Sequence, residues 1–199
     1  MKQATAAAGQ PAYMFCDQWF DAARRDVLRF ISGPLPDDLT VAGPVSPRSS
    51  VSTSGTDSGF DVKLIDVYPG GEAARSTSTG RAQTTIPNAD AGHAGYEELI
   101  RGEPMRARFR QSMSKPDSMI PNRITPLDFD MPDVNHTFLC GHRIMVEIQS
   151  SWFPLTDLNP QSFVDPAIAR HSDFRAATDR VYHTATSPSA VIVGVLPKR

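Results

Sequence analysis

Apolar residues recur at every second position in several short runs of this chain. In "HRIMVEIQS", Ile144, Val146 and Ile148 fall on one side and Arg143, Glu147 and Gln149 on the other. Successive side chains of a strand point to opposite faces, so this run predicts a half-buried β-strand. "MRARFRQS" sets Met105, Ala107 and Phe109 against Arg106, Arg108 and Arg110 in the same way. "FDVKLIDVYP" sets Phe60, Val62 and Leu64 against Asp61 and Lys63. Its alternation slips near Ile65, where a bulge would re-aim the strand. "DLTVAGPV", "ITPLDFDM" and "SAVIVGVLP" add three further strand candidates.

Turn-forming clusters separate these runs, among them "GPLPDD", "SGTDSG", "YPGG", "KPDSMIPN" and "MPDVN". Helical spacing is scarce by comparison. Phe20, Ala23, Val27 and Phe30 in "DQWFDAARRDVLRF" predict one helix, and "HSDFRAATDRVYH" a short helical turn. Seventeen prolines and 13 glycines also disfavour long helices. Many short strands punctuated this way predict an antiparallel all-β sandwich rather than βαβ units. Residues 70–95 are rich in Gly, Ser, Thr and Ala and predict a long loop.

The composition narrows the partners. A formal net charge of -2 provides no basic field for a polyanion, so no nucleic acid is expected. No run approaches the ~18 consecutive apolar residues of a membrane span, and no membrane partner is expected. The N-terminal "MKQATAAAGQPAY" lacks the apolar core of a signal peptide, which makes a cytoplasmic location the default. Cys16 and Cys140 are the only cysteines, too few for a disulfide framework.

Chemistry concentrates in "NHTFLCGHR", where His136, Cys140 and His142 offer imidazole and thiolate ligands within seven residues. A structural zinc site needs four protein ligands and a catalytic one three, and no second cysteine pair is near. The bland reading is a turn in which Asp133, Asn135 and Gly141 supply the turn chemistry and Phe138 the buried anchor. Cys140 as a nucleophile would need a positioned base and a third orienting group. The chain has no G-x-S-x-G, no G-x-G-x-x-G and no phosphate-binding loop. No catalytic residue, no metal ligand and no cofactor is therefore assigned. Trp152 and Phe153, followed by the turn at Asn159 and Pro160, close one end of the sandwich, face a second domain, or form a platform for stacking a sugar. These three residues, Trp152, Phe153 and Asn159, are the interface candidates.

Four blocks carry a resemblance. "RRDVLRFISGPLPDDLTVAGPV", "VSTSGTDSGFDVKLIDVYP", "GYEELIRGEPMRARFRQS" and "MPDVNHTFLCGHRIMVEIQSSWFPLTDLNPQSF" occur in that order. Together they resemble the C-terminal non-catalytic domain of the X-Pro dipeptidyl-peptidase-like (CocE/NonD) hydrolases. Within that group they are most similar to the α-amino-acid ester hydrolases and glutaryl-7-aminocephalosporanic-acid acylases. The resemblance implies a jelly-roll β-sandwich, similar to galactose-binding domains, over residues 22–199, with residues 1–21 as a lead-in. It implies an α/β-hydrolase domain as partner, in cis in relatives and in trans if the chain is a split piece. The family's Ser-Asp-His triad belongs to that other domain, and no triad residue maps onto this chain. The expected function is accessory: to stabilise the catalytic domain of a serine hydrolase of esters or amides and shape its active-site mouth. The alternative is a free-standing carbohydrate- or small-ligand-binding module, and a homo-oligomer fits either. One departure stands out. "SPRSS", Ser46 to Ser50, replaces an apolar strand of the relatives, and Pro47 cannot donate to a ladder, which predicts a weakened central strand.

Overall fold

In the computed structural model, residues 16–21, 24–70 and 94–197 are described. Among them nine strands run in chain order: β1 (Val27–Ile31), β2 (Leu39–Thr53), β3 (Gly59–Val67), β4 (Glu97–Arg106), β5 (Thr125–Asp128), β6 (Met131–Phe138), β7 (Arg143–Gln149), β8 (Asp179–Tyr182) and β9 (Ala190–Val195). The helical segments among the described residues are short 3-10 turns.

The strands form two antiparallel sheets, and the domain is a β-sandwich. The first sheet has the order β1-β7-β3-β4. The second is built on β2, whose 15 residues give it two partners along each side. β6 pairs with residues 39–45 and β5 with 48–51 on one side; β9 and β8 take the other. At Gly43 the register against β6 slips, and its φ of +93° is a left-handed value that suits glycine.

Apolar residues at alternate positions meet between the sheets. Val41, Val45 and Val51 of β2 pack with Phe60, Val62 and Leu64 of β3 and with Phe138 of β6. The bulge expected in β3 near Ile65 falls on its neighbour instead: Leu64 pairs with Arg101 and Ile65 with Leu99, which leaves Ile100 as the extra residue of β4, while β3 pairs with β7 without a break. Beyond it, Ile65, Val67 and Met145 form a second small cluster.

The expected helix over 17–30 is replaced by a 3-10 turn at Gln18–Asp21 and by β1. Val27 to Ile31 pair residue by residue with Met145 to Gln149 of β7, and this sheet edge outweighs the approximate helical spacing. The strand expected through Phe109 ends at Arg106, because the backbone turns into a 3-10 segment at Ala107–Phe109 and buries Ala107 and Arg108 together. Asp133 and Asn135 lie inside β6 rather than in a turn. The turn is confined to Leu139–His142, where Gly141 sits at φ +84°. "SPRSS" does not break β2. Ser46 donates to Asp130 (2.7 Å), the Ser50 amide donates to Ser189 Oγ (3.0 Å), and the Pro47 carbonyl accepts from Phe129 (3.2 Å). Side-chain bonds to neighbours supply there what apolar packing supplies elsewhere. The loop expected at 70–95 lies almost wholly outside the described residues. Its flanks are joined by a bond from the Tyr68 amide to the Tyr96 carbonyl (2.9 Å).

Candidate functional site

The stretch with metal-like spacing forms a bridge between the sheets. Asp66, on the inward face of β3, is bonded through Oδ2 to His136 Nε2 and through Oδ1 to His142 Nδ1, both at 2.9 Å. An ionised carboxylate only accepts, so each imidazole donates to it and both tautomers are set by the same side chain. His136 belongs to the second sheet and Asp66 to the first, so the contact ties the two together. Cys140 takes no part. It is exposed, and its Sγ lies 3.4 Å from the Pro36 carbonyl. Among the described residues no group of three or more His, Cys, Asp or Glu side chains is placed to hold a metal ion.

A second polar cluster covers the outer face of the first sheet. Lys63 is 0% exposed, and its Nζ donates to Asp21 (2.6 Å), Glu147 (2.9 Å) and Gln18 (3.1 Å). Arg29 of β1 pairs with Glu97 of β4 at 2.5 Å, and Arg24 with Asp21 (2.9 Å) and Asp26 (2.7 Å). Burial pushes the Glu147 carboxyl above its ordinary range, against the pull of Lys63. Gln18 and Asp21 come from the segment read as a lead-in, and both side chains are buried in this cluster. Sequence patterning missed the cluster because alternation marks Lys63 and Glu147 as outward-facing without saying what lies over them.

Aromatic rings frame these charges. The Trp152 ring lies 5.1 Å and the Phe20 ring 5.5 Å from Lys63 Nζ, and Trp19 stacks on Arg29 at 5.6 Å. Trp152 is 5% exposed and rests on Gly102, where an added Cβ would overlap the indole; this close approach is what requires glycine. Phe153, the adjacent candidate, is 54% exposed. Asn159 is half-buried. Its side-chain oxygen accepts from the Gln161 amide (2.8 Å) and its Nδ2 donates to Asp57 (3.3 Å). Asp57 also holds Arg108 (2.7 Å), whose Nη2 donates to the Val164 carbonyl (2.6 Å), so Asn159 fastens its own loop to the sandwich. No helix among the described residues is long and apolar enough to cross a membrane.

A two-sheet domain with this order of motifs has known counterparts. The profile of the X-Pro dipeptidyl-peptidase C-terminal non-catalytic domain matches residues 2–192. The chain belongs to that family. It is 35% identical to an aminopeptidase from a marine sediment Thaumarchaeota archaeon, with a TM-score of 0.82 over 96% of this chain and 29% of the aminopeptidase. An α-amino acid ester hydrolase superposes with a TM-score of 0.79 at 38% identity, over 92% of this chain and 28% of the hydrolase. The cocaine esterase of Rhodococcus sp. (strain MB1 Bresler) is 29% identical over 175 residues, 88% of this chain. The chain spans 26% of that esterase's length, so it corresponds to one part of a longer hydrolase. In these relatives the domain stands in the same polypeptide as a catalytic hydrolase domain. This chain is accordingly an accessory, non-catalytic domain of the CocE/NonD type.

Proposed function

We propose that this domain docks through the outer face of its first sheet onto an α/β-hydrolase domain, stabilises it, and helps shape the mouth of its active site. The observation that carries this reading is the exposed aromatic side chains Trp19 and Phe20, which lie over the internally paired Arg29 and Lys63, with exposed Phe153 next to Trp152 in sequence. A surface dry at its centre and aromatic at its rim suits a permanent interface, where large rings supply most of the binding energy. The hydrolase so completed acts on esters or amides such as α-amino-acid esters, X-Pro peptides or acyl cephalosporins. Its partner is supplied in cis, or in trans if the chain is a split subunit, and assembly as a homo-oligomer is compatible with both.

A domain exchange tests the proposal. This chain replaces the corresponding C-terminal part of the α-amino acid ester hydrolase, and folding and ester hydrolysis are measured. The expected result is an active chimera whose melting temperature falls when Trp19 and Phe153 are both changed to Ser. The same chain alone is expected to show no ester hydrolysis. An inactive, separately melting chimera, or hydrolysis by the isolated chain, would overturn the reading.

A further inference from the structure

The outer face of the first sheet holds one carboxylate more than its cations satisfy. Lys63 is taken by Asp21 and Glu147, Arg24 by Asp21 and Asp26, and Arg29 by Glu97. Asp61 remains. It is 4% exposed, and its Oδ2 is buried without a hydrogen-bond partner. Such a group costs stability unless a proton or a cation reaches it.

Asp61 lies in the lining of a cleft of about 370 Å³, between the start of β3, the end of β4 and the loop that follows β7. Met105, Phe109, Met113 and Leu155 supply apolar walls; Thr156 and Asn159 stand among the polar lining. The charged lining is two carboxylates, Asp61 and Asp157, against one guanidinium, Arg106. Arg106 is turned towards the Asp157 carbonyl, to which its Nη2 donates at 3.4 Å. The cleft is thus short of one positive charge, and its volume falls at the lower end of the roughly 300–1,000 Å³ typical of small-molecule sites.

The geometry points to a binding site for a small organic cation, with an ammonium or guanidinium head on Asp61 and a short apolar body between Met105, Phe109 and Leu155. A carboxylate offers only acceptors, and such a head offers only donors, so the match is complete without a metal ion. The head group is carried either by a free amine or by a basic side chain of another polypeptide segment. The cleft opens on the same face as the docking surface proposed above, and binding by the isolated chain tests it apart from that docking. Burial raises the Asp61 carboxyl to about 7, opposed by Lys63, Arg106 and Arg24, so Asp61 takes up a proton below neutrality.

The test is a titration of the full 199-residue chain, followed by amide NMR, with n-butylammonium and benzylammonium against the matching alcohols. Saturable shifts at Asp61, Met105 and Leu155 are expected with the amines at pH ~8, and affinity about tenfold weaker at pH ~6, where a proton competes for Asp61. Asp61→Asn is expected to abolish binding and the pH dependence together, although Asp157, Arg106, Lys63 and Arg24 remain in place. Leu155→Lys, at an exposed position, places a tethered ammonium in the cleft and is expected to exclude the amines while Asp61 is intact. It serves should the Asn variant not fold. N-acetyl-lysinamide provides the second arm: tighter binding than n-butylammonium assigns the head group to a peptide-borne side chain, weaker binding to a free amine. Equal binding of alcohols and amines, or unchanged amine binding in either folded variant, would overturn the site.

Discussion

The two faces of the first sheet are equally dry and are made of opposite materials. On the inner face Phe60, Val62, Leu64 and Ile148 pack against the second sheet and need no partners beyond one another. On the outer face Asp61, Lys63, Glu147 and Gln149 are just as inaccessible, and all nine residues of β3 are buried. Apolar packing tolerates approximate neighbours, whereas a buried charge is tolerated only when a particular opposite charge reaches it. The outer face therefore stakes more on each residue than the inner one.

The sharpest way to break the comparison is Lys63→Ala. It removes the cation that Asp21 and Glu147 share, leaving Asp21 to Arg24 and Glu147 to Arg29 at 3.8 Å, and the expected loss is on the order of 4 kcal/mol in denaturant unfolding. On the inner face, Leu64→Ala leaves a cavity that neighbours partly fill, with an expected loss of about 3 kcal/mol by the same measurement. If the inner-face change proves the costlier, the contrast drawn between the faces fails.

Asp61→Asn sharpens the comparison with a pH dependence. The folded Asp61 carboxyl, at about 7, lies above its unfolded value of ~4, so the folded chain binds the extra proton between those limits. The stability contributed by Asp61 is therefore retained at low pH and falls as pH rises through that window. Wild type is expected to lose about 2 kcal/mol relative to Asp61→Asn between pH ~4.5 and ~6, read as the difference between two unfolding series. A difference that is flat with pH would place Asp61 in ordinary solvent. The smallest effect is expected at Cys140, which is exposed and apart from the histidines: Cys140→Ser should shift stability by less than about 0.5 kcal/mol.

Alternation made β3 and β7 legible, because a period of two is a local property of the backbone, whereas the run starting at Met105 reached only the last two residues of β4. The same reasoning went astray at Val27–Ile31, where a free edge of β7 claims residues with approximate helical spacing. It also misjudged "SPRSS", where Ser46 and Ser50 bond to residues 84 and 139 positions away. In "NHTFLCGHR" the ligand chemistry of the histidines was visible, but the group that engages them, Asp66, lies some 70 positions earlier. Of the interface candidates, Trp152 was recognisable as a large apolar group, while its seat on Gly102 and Lys63 was not.

What the sequence determined by itself was the class of fold, the positions of most strands and the family, since these rest on local patterning and on motif order. Only the tertiary structure decided which polar residues are dry, which charges meet, and that Asp61 is left without a partner. The physical reason is range. Strand propensity acts over neighbouring residues, whereas the cost of burying a charge depends on what the fold brings within about 4 Å of it.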